Sequence, residues 1–301
     1  MKATEGMKAT EGMPAAEGAP ASRRVRSYHA WAGRYRTALA ACDAVHTGLW
    51  LGLLDRPDLQ AVDHAKYVTS GTYRDDAYNR GGLFEWEDRL VGRHFPAGGS
   101  LLVLGAGGGR EVLALAGRGH RVVGYECNPV LVDYGRDLLD RVGCRGGELR
   151  FLPRDQAPGD GGPYDGVLVG WGAYTLVAGR RDRIALLTGL RRLVRAGAPV
   201  AVSFLSRTES GGRRERVAAR VANTVRRVRR RPPVEVGDDL APNFVHRFTR
   251  AEVAGELAAA GFTMAAYAQQ GPGPRDAGHA VGLAGSAQPV DSGPVGGADV
   301  A

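Results

Sequence analysis

The sequence predicts a doubly wound α/β domain. Its sheet is mostly parallel and seven-stranded with an antiparallel C-terminal hairpin, and a helical leader and a helical cap insertion are added to it. Three observations carry that expectation. Short apolar strands alternate with amphipathic helices from Ser100 to Ala284, the order that builds a parallel sheet. A glycine-rich turn, Gly105-Ala106-Gly107-Gly108-Gly109, joins the first strand to the helix after it. Glu126 ends the second strand, 21 residues after Gly105.

In chain order, residues 1–22 hold a hexapeptide repeat (MKATEG, MKATEG, MPAAEG), polar and too short to bury a core, and are expected to be disordered. From Arg23 to Leu54 the residues Val25, Tyr28, Trp31, Tyr35, Leu39, Cys42, Val45 and Leu49 recur at steps of three and four, the helical period. A second helix is expected within 56–68. A turn follows around Tyr73, Tyr78 and Gly81-Gly82, then a helix through Leu83–Phe95. Residues 23–95 thus form a helical leader, or lid, without strands. Strands are expected at Ser100–Leu104, Arg121–Glu126, Leu149–Leu152, Gly166–Val169, Pro199–Phe204, Phe262–Ala268 and His279–Ala284. Helices fill the gaps, one of them with Ile184, Leu187, Leu190 and Val194 on one face. Thr249-Arg250-Ala251-Glu252 is a capping box, and Gly261 closes its helix. The last two strands are joined by a GPGP turn. The main domain therefore spans 96–284 with a cap insertion at about 206–245, and 285–301 is a loose tail.

Charge is local. The net charge is +8, yet segment 213–231 (RRERVAARVANTVRRVRRR) alone holds nine arginines and one glutamate, so the rest of the chain balances. Val217, Val221, Val225 and Val228 form one stripe of that segment, which predicts an amphipathic helix packed on the domain with a solvated basic face. An anionic partner, RNA or a membrane surface is the less favoured reading of the arginines. No apolar run reaches the roughly 18 residues of a membrane span, and no signal core is evident at the N-terminus. The three cysteines (Cys42, Cys127, Cys144) are widely spaced, which fits reduced thiols in a cytoplasm rather than a disulfide framework or zinc site.

The chemistry sits in LLVLGAGGGREVLALAGRGHRVVGYE. Glycines at 105, 107 and 109 let backbone pass close to a ligand, and a carboxylate at Glu126 can accept two hydrogen bonds from a ribose diol. A dinucleotide fingerprint is GxGxxG, and its third glycine position is here the bulky Arg110. The spacing is GxGxG instead, which favours S-adenosylmethionine (SAM) over a nicotinamide dinucleotide.

Residues 83–284 resemble class I SAM-dependent methyltransferases throughout. LLVLGAGGG resembles their first motif, with Gly105, Ala106, Gly107 and Gly109 at the cofactor, and Glu126 their ribose-binding acid. RFLPRDQ places Asp155 and Gln156 where the family has an acid or amide near the adenine. YDGVLVGWGAY resembles the fourth strand and the loop beside the methyl donor, with Gly170 and Trp171 in that loop. HRFTRAEVAGELAAAGF resembles the helix that leads to the final hairpin. One departure is plain: the family often carries an acid two residues before the first glycine, and here that residue is Val103. Arg110, Glu111, Tyr73 and Tyr78 are the candidates to organise the methionine end of SAM in its place. His246 is the candidate general base, although methyl transfer to a ready nucleophile needs mainly alignment.

The resemblance implies an enzyme that methylates an O, N or C atom of a small molecule. A secondary metabolite fits the arginine-heavy composition, with three lysines, of a GC-rich genome. The alternatives are an RNA or protein methyltransferase docking through 213–231, and a non-catalytic SAM-binding partner protein. No Asn/Asp-Pro-Pro-aromatic signature of nucleobase-amine methylases follows the fourth strand, and no metal ligand set is expected.

Overall fold

The computed structural model describes residues 22–209, 212–269 and 277–285. The repeat tail, the GPGP turn and the C-terminal tail fall outside them, apart from Ser22 and Gly285. The chain divides into two units, Met1–Asp43 and Ala44–Ala301. In the first, the described residues belong to helix α1, Arg23–Leu53, and Tyr28, Trp31 and Tyr35 are 67%, 70% and 63% exposed.

The second unit holds the rest of the leader and the sheet. α2 (Arg56–Thr69) starts with Pro57 in its first turn, and the Asp58 carboxylate accepts from the Asp55 N–H at 2.8 Å. A 3-10 turn (Thr72–Arg74), the short helix α3 (Asp76–Arg80) and α4 (Glu85–His94) follow. Leu90 and Val91 of α4 and Phe95 after it join the sheet core, and residues 44–95 fall in the same unit as the sheet.

β1 (Ser100–Leu104), β2 (Arg121–Glu126), β3 (Gly147–Phe151), β4 (Gly166–Val169) and β5 (Pro199–Ser206) are parallel in the order β3-β2-β1-β4-β5. α5 (Arg110–Ala116), α6 (Pro129–Arg141) and α7 (Arg180–Arg192) connect them. Leu101, Leu102 and Val103 have no exposure at all, because helices cover both faces of a doubly wound sheet. All seven expected strands are present.

Two more strands lie where only a helical cap was expected. After α8 (Arg213–Val228) come β6 (Asp238–Leu240) and β7 (Phe244–Phe248), which pair antiparallel. β4 covers β5 only as far as Val202, so the longer β5 leaves an open edge at Leu205 and Ser206, and β7 pairs there in parallel through Arg247 and Phe248. His246 and Arg247 inside Phe-Val-His-Arg-Phe hid this strand, since all five of its residues are buried. α9 (Arg250–Ala259) then begins on the expected capping box, with Thr249 Oγ1 accepting from the Glu252 N–H at 3.1 Å and Glu252 Oε2 accepting from the Thr249 N–H at 2.7 Å. β8 (Phe262–Gln269) and β9 (Ala277–Ala284) complete the antiparallel hairpin, β9 lying against β5.

The last turns of α1 pack against α8 with almost no space between backbones. A Cβ on Gly48 would sit 2.5 Å from the Ala218 carbonyl and 2.8 Å from Val221 Cβ, and one on Gly52 would sit 2.6 Å from Val225 Cβ. Val221 and Val225 of the stripe read from the sequence therefore face α1, whereas Val228 is 82% exposed. Gly48→Ala overpacks this contact and is expected to cost about 1–3 kcal/mol, read as a lower midpoint in chemical denaturation with an unchanged slope.

Candidate cofactor site

The order of the sheet reverses between β1 and β4, and the carboxyl ends of β1, β2, β3 and β4 converge there on a cavity of about 300 Å³. Gly105, Gly107 and Gly109 have φ of +70°, +54° and +98°, conformations that L side chains avoid, so the loop requires its glycines. Its amides are largely committed within the protein. Those of Gly105 and Ala106 donate to the Tyr125 carbonyl at 2.8 and 3.0 Å. Gly107 N–H donates to Glu126 Oε2 at 2.9 Å, and Asn128 N–H donates to Oε1 at 2.8 Å. The Glu126 carboxylate is thereby held at both oxygens while each keeps acceptor capacity, since a carboxylate offers about four lone-pair positions.

Asp155 follows β3 with φ of +61° and a nearly buried carboxylate. Oδ2 pairs with Arg56 Nη2 at 2.8 Å, whereas Oδ1 is buried with no hydrogen-bond partner. Arg56 also holds Asp182 at 2.7 Å, and Arg154 pairs with Asp63 of α2. These ion pairs pin α2 across the strand ends, with Gln60, His64 and Tyr67 on its cavity side. Tyr67 and Tyr73 meet edge to face at 5.0 Å, and burial pushes both phenols above their ordinary pKa. Burial, and secondarily Glu126, pushes the Cys127 thiol up to about 12, so it stays protonated and is no nucleophile at neutral pH.

Of the residues singled out from sequence, Gly105, Gly107, Glu126, Asp155, Gln156, Trp171 and Tyr73 line this one cavity. Ala106 is buried beneath the loop, and Gly109 packs toward Leu149 and Gly135. Gly170 lies under Gly105, where a Cβ would come 2.5 Å from the Gly105 carbonyl. Tyr78 stands one ring behind Tyr73, with centroids 5.7 Å apart.

Arg110 is turned away from the cavity. It forks onto Glu87 of α4 at 2.7 and 2.8 Å, reaches Glu111 Oε1 at 2.7 Å, and lies 3.8 Å from the Phe84 ring centroid. One cation thus serves two buried carboxylates. Burial chiefly, with Glu87 adding, pushes Glu111 up to about 7 against the pull of Arg110. This network ties the leader to the start of α5 behind the glycine loop.

The structure does not place His246 at the cavity. It sits on β7 with no exposure, its Nδ1 2.7 Å from Asp238 Oδ1 and its ring 4.6 Å from Phe248. Burial in a strand, rather than in a loop before the capping box, removes it from any acceptor. Glu235, Asp238 and His246 bring their ligand atoms within 4.8 Å of one another, but Arg183 Nη2 already occupies the cation position beside Glu235, at 2.7 Å. Arg183 continues to Glu256 at 2.8 Å, whose other oxygen takes the Tyr174 hydroxyl at 2.5 Å. This is an ion network holding the β6–β7 hairpin to α7 and α9.

Sequence reasoning missed Gln60, His64, Tyr67 and Asn128. The first three recur at i, i+4 and i+7 of α2, a face the sequence marks only as mixed polar and aromatic. Asn128, the N-cap of α6, lines the cavity, uses Oδ1 on the Val130 N–H at 3.1 Å and leaves a buried Nδ2 unpartnered. The Asn-Pro step directly after Glu126 and Cys127 is its signature.

This architecture is the class I SAM-dependent methyltransferase fold. A SAM-dependent methyltransferase from Methanosarcina mazei superposes with a TM-score of 0.55 at 15% identity, covering 68% of this chain and 99% of that one. The 1,6-didemethyltoxoflavin-N1-methyltransferase of Burkholderia thailandensis, solved with 1,6-didemethyltoxoflavin and S-adenosylhomocysteine, gives 0.51 at 18% identity over 77% of this chain and 92% of its own. The CcbJ methyltransferase of Streptomyces caelestis gives 0.50 at 16% identity over 71% and 98%. At these identities the likeness is one of fold. No protein-family model matches the sequence, and no curated protein matches it.

Proposed function

We propose that the chain binds SAM in this cavity and transfers its methyl group to an O, N or C atom of a small molecule. The carrying observation is that two carboxylates, one ending β2 and one in the segment after the adjacent β3, line one cavity, each with acceptor capacity unspent. Asp155 Oδ1 suits the adenine amino group, and Glu126 suits the ribose hydroxyls. Asn128 Nδ2 offers a donor beside them, and Gly107, where a Cβ would touch only Tyr73 Cδ1 at 3.7 Å, leaves room for the ligand. Bound SAM supplies an electrophilic methyl on a sulfonium. The protein then has to hold the acceptor in line with it and keep water out, tasks for Tyr73 and Trp171 at the cavity wall; no acid or base in contact with the cavity is needed for a nucleophile already in its reactive form.

Of the nine arginines of segment 213–231, Arg214 and Arg226 are half-buried against the protein and the other seven are exposed. Arg226 Nε donates to the Leu51 carbonyl at 2.9 Å and its Nη2 to the Leu54 carbonyl at 3.0 Å, while Arg214 reaches Asp239 at 3.1 Å. Among the described residues no single helix is long and apolar enough to cross a membrane.

Calorimetric titration with SAM and S-adenosylhomocysteine (SAH) tests the reading. Micromolar binding of both is expected, and folded protein that binds neither sinks it. Asp155→Ala is expected to weaken binding roughly ten- to hundredfold, the loss of one hydrogen bond to a charged group at about 1.5–3 kcal/mol.

A further inference from the structure

We propose that the methyl acceptor is a flat, uncharged aromatic molecule seated in the corner between Phe84 and Trp171. The proposal rests on the methyltransferase reading and names its substrate class. From the cavity wall at Tyr73 a row of rings runs edge to face: Tyr73 to Tyr78 at 5.7 Å, Tyr78 to Phe84 at 6.4 Å, Phe84 to Trp171 at 6.3 Å. Trp171 itself lines the cofactor cavity, so the row returns to it. The inner support is Trp86, buried, 6.0 Å from Trp171 and stacked on His279 at 5.2 Å.

Phe84 and Trp171 differ from that support in being 36% and 37% exposed. Two large neighbouring rings left in solvent beside a ligand cavity mark a binding face rather than core. Their planes meet at 79°. A flat aromatic ring laid on one of them presents its edge to the other, which satisfies both preferred aromatic geometries at once. A saturated, puckered skeleton of the same size satisfies neither.

Position and charge agree. Asp155 lies after β3 and Glu126 at the end of β2, whereas Trp171 follows β4 on the far side of β1, where the cofactor's methionine end would lie if adenine sits at Asp155 and ribose at Glu126. The cation behind Phe84, Arg110, is already bound to Glu87 and Glu111. His279 is held below its ordinary pKa by burial and then by Arg89, and is neutral at pH 7. Neither Arg110 nor His279 therefore offers the corner an unspent charge, which selects against ionic acceptors.

The test uses the full chain loaded with SAH and three probes in calorimetry at pH 7: 2-naphthol, its saturated counterpart decahydro-2-naphthol, and naphthalene-2-sulfonate. The expected result is that 2-naphthol binds at least tenfold more tightly than either of the others. Phe84→Leu, which keeps apolar bulk but removes the ring, is expected to abolish that preference while the melting temperature and SAH affinity hold. Equal binding of the flat and saturated probes, tighter binding of the sulfonate, no binding of 2-naphthol, or an unchanged preference in Phe84→Leu overturns the proposal. Absence of SAH binding is a separate result, seen in the loading step, and removes the methyltransferase reading together with the proposal.

Discussion

Glu126→Ala is expected to weaken SAH binding about a hundredfold. The side chain would give up two charge-assisted hydrogen bonds to a ribose, which at roughly 3 kcal/mol together correspond to about two decades of affinity. It also releases the amides of Gly107 and Asn128, which it holds at 2.9 and 2.8 Å, so the glycine loop loses its brace. Glu126→Gln keeps one acceptor oxygen without the charge and is expected to fall between the two. Calorimetry on folded protein reads the effect, with circular dichroism confirming the fold. Wild-type affinity in Glu126→Ala would move the nucleoside away from the end of β2 and remove the basis for the site.

The largest expected stability effect belongs to Arg110→Met. Glu87 is fully buried and Glu111 nearly so, and Arg110 is the cation they share. Removing one member of a buried ion cluster leaves uncompensated charge and typically costs about 3–5 kcal/mol, on the order of 10 °C in melting temperature for a domain of this size. The loss depends on pH, with a definite sign. Without the guanidinium, Glu111, which burial already raises, is pushed further above its unfolded pKa. The folded form then takes up protons more readily than the unfolded one, and its stability rises as pH falls. The deficit is expected to be smaller at pH 5 than at pH 8. Arg110→Met combined with Glu87→Met, which replaces a charged pair with apolar bulk, should recover a large part of it. A single variant as stable as wild type at pH 8 would show that the leader is not clamped through this network.

How much of this was legible differs from element to element. β1, β2, β4 and the helices between them followed from alternation and period, because a strand buried on both faces has a continuous apolar run. The glycine loop and Glu126 followed from spacing, since β1 and β2 are adjacent and parallel and their carboxyl ends must be neighbours. β7 was not legible. Its His246 and Arg247 break the apolar run, and what buries them is the hydrogen bond of His246 to Asp238, the ion pair of Arg247 with Asp239 and the docking of β7 on β5, none of which a local apolar pattern reports. Arg110 illustrates the same limit. The sequence shows a cation after a glycine loop, which invites a ligand role, whereas its partner Glu87 lies 23 positions earlier on a helix whose docking no local pattern reports.

By itself the sequence determined the class of the fold and the loop and acid that meet at one cavity, because backbone conformation and strand alternation are local properties written in residue type. Only the tertiary structure decided that α2 covers the crevice, that Asp155 keeps an unpaired oxygen there, that His246 is locked in the interior, and that Phe84 and Trp171 meet in an exposed corner. Each of these depends on which distant side chain supplies a counter-charge, a hydrogen bond or a packing surface, and such contacts are settled by the assembled fold.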